Sequence, residues 1–197
     1  MSEQNPSPNS KNTLKNDDDN QLIQQRREKL TQLREKQTSA FPNDFNKTHY
    51  ANVLHVEYDE HDKPWFEENS VAVNVAGRMM LKRVMGKASF ITLSDTTGRI
   101  QLFVQKNNIG EEAYADFKTW DVGDIVGGEG LLFKTKTGEL SVKVSRLQLL
   151  TKSLRPLPEK FHGLTDHEQR YRQRYIDLIM NEETRHAFML RSMIVSY

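Results

Sequence analysis

Hydrophobic positions along the chain change period twice, and the changes divide it into three stretches. Between Val71 and Leu149 apolar residues recur at every second position, the mark of strands with one face in a core. Val71, Val73 and Val75 alternate with Ala72, Asn74 and Ala76. The pattern continues through Arg78, Met79 and Leu81, with Gly77 a candidate bulge. Lys82 to Lys87 reads as a basic loop. A second strand, Ala88 to Ser94, sets Ile91 and Leu93 against Phe90 and Thr92. Asp95-Thr96-Thr97-Gly98 reads as a hairpin turn in which Gly98 supplies positive φ. The third strand, Arg99 to Gln105, buries Ile100, Leu102 and Val104 and turns Gln101 and Phe103 the other way. A short helix, about Gly110 to Thr119, precedes a fourth strand from about Asp124 to Phe133. After the loop Lys134 to Gly138, a fifth strand runs from Glu139 to Leu149, with Leu140, Val142 and Val144 alternating against Glu139, Ser141 and Lys143.

Five strands with one helix between the third and fourth are the order of an OB-fold, a five-stranded Greek-key barrel. The predicted class is therefore mainly β with flanking helices, the barrel occupying residues 71–150. Residues 1–18 are polar and read as a disordered tail. A helix capped by Asp19 or Asn20 is expected to run to about Lys36, with Leu22, Ile23, Leu30 and Leu33 on one side. Arg26 falls within that stripe, and Arg27 and Arg34 flank it. Their stems can cover the seam, and their guanidinium groups are weaker candidates for phosphate contacts. Residues 38–70 look irregular, completing an N-terminal segment over 19–70. His49, His55 and His61 are evenly spaced there without a ligand constellation, so no metal site is assigned.

Residues 151–164 form a connector, because Leu154-Arg155-Pro156-Leu157-Pro158 cannot continue a helix or a central strand. Thr165-Asp166-His167-Glu168 is a capping box opening a helix to about Met180. A further helix begins near Asn181, with Ala187, Leu190, Ile194 and Tyr197 in one stripe and Phe188 at its edge. A chain that stops inside an apolar helix is expected to be a fragment of a longer protein.

Composition narrows the chemistry. The 197 residues contain no Cys, which excludes disulfides, zinc–cysteine clusters, iron–sulfur sites and thiol catalysis. Lys and Arg total 28 against 27 Asp and Glu, a net charge of +1, so any attraction for nucleic acid must be local. No apolar run approaches the ~18 residues of a membrane helix, and no secretory signal is present, so a cytoplasmic protein without membrane contact is expected. There is no Gly-rich phosphate loop and no nucleophile–base constellation, so no catalytic residue is assigned.

OB-folds bind oligonucleotides on the face of strands two and three and with the adjoining loops. Phe90, Thr92, Gln101 and Phe103 occupy that face. Arg78, Lys82, Arg83 and Lys87 lie on or beside the first loop, and Lys134, Lys136 and Glu139 bracket the other. An aromatic ring stacks on any base, whereas specificity needs hydrogen bonds to a base edge. Gln101 can give and accept, and the Glu139 carboxylate only accepts, which suits uracil with its N3–H over cytosine. The competing explanations are plain solvation of the basic loops and packing of Phe90 against protein.

Several stretches resemble the anticodon-binding domain of bacterial class II lysyl-tRNA synthetases. They are Val75 to Met80, Met85 to Phe90, Gly98 to Leu102, Gly123 to Ile125, Thr135 to Leu140, Leu149 to Lys152, Leu154 to Leu164, and Arg170 to Ile179. The resemblance implies a uridine-rich anticodon of tRNA(Lys) read by Phe90 through stacking and by Gln101 and Glu139 at the base edge, with Arg78 assisting. It adds phosphate contacts from Arg26, Arg27 and Arg34 on the N-terminal helix to those that Lys82, Arg83, Lys87, Lys134 and Lys136 could make from the loops. It also implies that residues 165–197 open the catalytic domain, Phe188, Leu190, Ile194 and Tyr197 contributing to a homodimer interface. Family motifs 2 and 3, which hold ATP, magnesium and lysine, find no match in the chain. Lysine ligation is therefore expected of a longer parent, with no cofactor bound by this segment. A free-standing OB-fold binder of single strands and a protein-interaction module are the alternatives.

Overall fold

The computed structural model describes residues 8–36, 39–158 and 167–197. The chain divides into two compact units, Met1–Pro156 and Leu157–Tyr197. In the first, period-two alternation produces five strands: β1 (Ala72–Met85), β2 (Ala88–Ser94), β3 (Arg99–Gln105), β4 (Ile125–Lys134) and β5 (Leu140–Thr151). The predicted inward residues Val73, Val75, Ile91, Leu93, Leu102, Val104, Val142 and Val144 are all buried. Burying each such side chain contributes about 1.5–3 kcal/mol. β1 is long enough to serve two neighbours. Its first half pairs with β4 and its second half with β2, both antiparallel. β3 joins β5 in parallel, closing a barrel in the order β1-β2-β3-β5-β4. This is the five-stranded OB arrangement.

Helices surround the barrel. They are α1 (Pro8–Lys36), α2 (Ala51–Tyr58), α3 (Lys63–Glu68), α4 (Lys106–Ile109) and α5 (Glu111–Thr119). α5 seats Tyr114 and Phe117 in the core. Ser89 donates to the Tyr114 hydroxyl, which in turn donates to the Gly86 carbonyl, so both buried hydroxyls are satisfied. Beyond β5, Lys152 is buried and its Nζ meets Asp121 at 2.5 Å and both oxygens of Asp124 at 2.9–3.0 Å. The Asp124 carboxylate also accepts from the Ser153 and Asp121 amides.

Several expectations are corrected. Helix α1 starts at Pro8 rather than near Asp19. No Gly or Pro interrupts residues 9–36, and Pro fits a first helical turn. Residues 39–70 contain α2 and α3, which are too short for a periodic signal; Asp62 caps α3 by accepting from the Trp65 amide. The basic loop is mostly strand, with only Gly86 and Lys87 turning between β1 and β2, Gly86 at φ +64°. Gly98 does not have positive φ; Asp95 builds that turn by accepting from the Thr97 and Gly98 amides. Gly77 is not the bulge. The register slips between Met79 and Leu81, whereas a Cβ on residue 77 would stand 2.7 Å from the Ser94 carbonyl oxygen.

The second unit holds α6 (His167–Arg172), α7 (Arg174–Met180) and α8 (Glu182–Ser196). The single helix expected to Met180 is broken at Gln173, whose backbone leaves helical angles at φ −117°, ψ 55°. Buried Asp177 is the hub, accepting from Arg170, Arg174 and Asn181. Burial pushes its carboxyl up, and these donors outweigh it, leaving it below the usual carboxylate range. Thr165 and Asp166 of the capping box lie outside the described residues.

Candidate nucleic-acid interface

Residues paired across neighbouring strands share a face of the sheet. Two rows therefore cross the outer wall of the barrel. One runs Arg83, Phe90, Phe103, Lys143, Leu131. The other runs Leu81, Thr92, Gln101, Ser141, Phe133. The Phe90 and Phe103 rings stack with centroids 4.8 Å apart and planes at 30°, and the Phe133 ring lies 5.8 Å from Phe103. Phe90, Gln101 and Phe103 are half-buried on this wall, opposite the buried Ile91 and Leu102. Glu139 is exposed in the β4–β5 turn, immediately before β5. That turn is closed by hydrogen bonds between Thr135 and both Glu139 and Gly138.

The basic candidates separate into two groups. Arg26, Arg78, Lys82 and Lys134 direct donors to backbone carbonyls. Arg26 donates to the carbonyls of Val122, Ser153 and Arg155 at 3.1–3.2 Å, and so docks α1 against the barrel's connections. Arg78 donates to Gly123 at 2.8 Å. Lys82 donates to Phe117, Lys118 and Trp120 at 2.8–3.0 Å, capping the C-terminus of α5. Burial lowers the Lys82 ammonium to about 8. Lys134 donates to the Asp59 carbonyl at the end of α2. Arg26, Lys82 and Lys134, expected at phosphates, thus also serve the fold, because carbonyls at helix and strand ends accept from them. Arg27, Arg34, Arg83, Lys87 and Lys136 are exposed. Arg83 shares the outer row with Phe90, while Lys87 and Lys136 occupy the two turns.

Lys143, Phe133 and Ser141 also belong to the wall and were not singled out from sequence. Their signal was the outward parity of β4 and β5, which acquires meaning only with cross-strand register. Ser141 is fully buried and donates to Gln101 Oε1 at 3.0 Å. The three histidines take up structural partners: His49 with Thr48 and the Asn74 amide, His55 with Asp59 and the Arg99 carbonyl, His61 stacked on Trp65 at 3.8 Å. Among the described residues no three His, Asp or Glu side chains gather as metal ligands. No described helix is long and apolar enough to cross a membrane. On α8, Leu190 and Ile194 are exposed, as is Tyr197 just beyond it, while Phe188 lies under the guanidinium groups of Arg174 and Arg191.

Residues 73–150 match the family described as OB-fold nucleic acid binding domain. The chain is 61% identical over 178 residues to the lysine--tRNA ligase of Laribacter hongkongensis, covering 90% of this chain and 35% of that protein. It is 61% identical over 180 residues to that of Thioalkalivibrio sulfidiphilus, covering 91% and 36%. With the enzyme of Aromatoleum aromaticum it shares 56% over 195 residues, covering 99% and 38%. The chain thus spans about a third of the length of these curated relatives.

Proposed function

From residues 73–150, which match the OB-fold nucleic acid binding family, we propose that the barrel reads unpaired uridines of a tRNA(Lys) anticodon loop. One observation carries this: the stacked Phe90–Phe103 pair lies on the outer wall, in the strand row next to Gln101. Phe90 offers a stacking surface, Gln101 hydrogen-bonds the base edge, and the Glu139 carboxylate accepts from uracil N3–H. Arg83, Lys87, Lys136 and Lys143 neutralise phosphates around the wall, and Arg27 and Arg34 do so along α1. Within a longer protein we propose lysine activation and esterification to tRNA, with α8 and Tyr197 in a homodimer contact. ATP and magnesium are assigned to that longer protein.

The test is a titration of the 197-residue chain with an RNA hairpin whose loop carries three uridines. Losing one base stack costs ~1–3 kcal/mol, so Phe90→Ala is expected to weaken binding roughly 5- to 150-fold. Equal affinity for both proteins removes Phe90 from the site. Equal affinity of the wild type for a scrambled loop replaces base reading with general single-strand binding.

A further inference from the structure

We propose that Ser141 sets the hydrogen-bond polarity of the uridine reader, by holding the Gln101 amide with its N–H2 group toward the base. This rests on the reading of Gln101 as a base-edge contact. Ser141 stands at an outward strand position, where neighbours are half-buried or exposed, yet it has no accessible surface. A hydroxyl shut off from water must find its partners inside the protein. Its Oγ lies 3.0 Å from Gln101 Oε1 and 3.4 Å from the Glu139 carbonyl oxygen. One buried hydroxyl therefore touches both polar readers, the amide of one and the backbone of the other.

The distances favour one orientation of the amide. If Gln101 were flipped, Nε2 would face the hydroxyl, and the hydroxyl proton would have only the Glu139 carbonyl at 3.4 Å. That separation is longer than an ordinary O–H···O bond. Donation to Oε1 at 3.0 Å uses the proton better and occupies the amide oxygen. With its oxygen turned to Ser141, the amide presents its N–H2 donors at the free edge. At ring position 4 these donors match the uracil carbonyl oxygen and oppose the exocyclic amine of cytosine. Ser141 is thus a positioning residue for specificity, acting through Gln101 without touching RNA.

The test compares hairpins carrying three uridines or three cytidines in the loop, with wild type, Ser141→Ala and Ser141→Cys. For Ser141→Ala we expect the uridine-over-cytidine ratio to fall about tenfold with little change in uridine affinity, because the freed amide can rotate to accept from cytosine. Ser141→Cys, which keeps a weak donor of similar size, should fall between, and it serves as the readout if the Ala variant fails to fold. A loss confined to packing would weaken both hairpins equally and leave the ratio unchanged. An unchanged ratio in a folded variant, beside a discriminating wild type, overturns the proposal. A wild type that fails to discriminate overturns instead the base-edge role on which it rests.

Discussion

Lys82 and Arg83 are adjacent cations with opposite predicted effects. Lys82 pairs with inward-facing Ile91, and its ammonium donates to three carbonyls at the end of α5. Arg83 pairs with Phe90 on the outer wall. Removing the side-chain donor leaves carbonyls at the end of α5 short of a partner, which costs about 1–3 kcal/mol for such a group, and relieved desolvation of the half-buried ammonium offsets part of it. Lys82→Met is therefore expected to cost about 2 kcal/mol, or roughly 5 °C in Tm for a unit of this size. Its RNA affinity should keep the wild-type salt dependence. Arg83→Gln and Lys143→Gln should each leave Tm unchanged and reduce the slope of log Kobs against log salt by about 0.7, the value for one phosphate on a single strand. A second signature belongs to Lys82 alone. Its folded value of about 8 lies below the unfolded 10.5, so between these pH values the unfolded chain binds more protons and stability rises with pH. Wild type should show this rise and Lys82→Met should not. Urea melts across pH 7–11 and fluorescence titrations across salt supply both measurements. A shallower salt slope for Lys82→Met, with Tm intact, would refute the division of roles.

Two further outcomes concern the scaffold. Burial pushes the Asp95 carboxyl up, but donors from Ala51, Lys47, Thr97 and Gly98 outweigh it and hold it at about 2. Relative to 3.8 in the unfolded chain, this contributes about 2 kcal/mol that is present above pH 4 and lost as pH falls through 2. Asp95→Asn should flatten acid unfolding in that window, and an identical acid profile would discount the carboxylate. Lys152→Met leaves Asp124 buried without its cation and should cost about 3–5 kcal/mol by urea denaturation. An unshifted urea midpoint would show that the pair contributes no net stability.

The strands were legible because a barrel imposes one binary choice, inside or outside, at every position. That choice fixes Ile91 and Phe90, or Leu102 and Gln101, without knowledge of their neighbours. The short helices were not legible because their starts are set from afar. The Ala51 amide that begins α2 donates to Asp95, on the other side of two strands. The basic residues were legible as charge, but their partners within the fold were not. No sequence pattern states which lysine lies beside an orphan carbonyl, and the closing contacts of Arg26 and Lys134 span most of the barrel's chain.

The bulge in β1 shows how sharply a local irregularity can separate two neighbouring cations. Val73, Val75 and Met79 face inward, and an unbroken strand would carry that parity on to Leu81 and Arg83. The slip between Met79 and Leu81 reverses it. Met79 and Met80 are both buried, after which Lys82 takes the inward register opposite Ile91 and Arg83 the outward register opposite Phe90. Had the bulge stood at Gly77, a residue added to that strand would have had to clear the Ser94 carbonyl, which leaves no room for a Cβ. The close approach at Gly77 thus keeps β1 regular against β4 and defers the irregularity to Met80. One misplaced residue there would exchange the helix cap for the proposed phosphate contact, which is why the pair Lys82 and Arg83 tests the barrel's register as directly as it tests RNA binding.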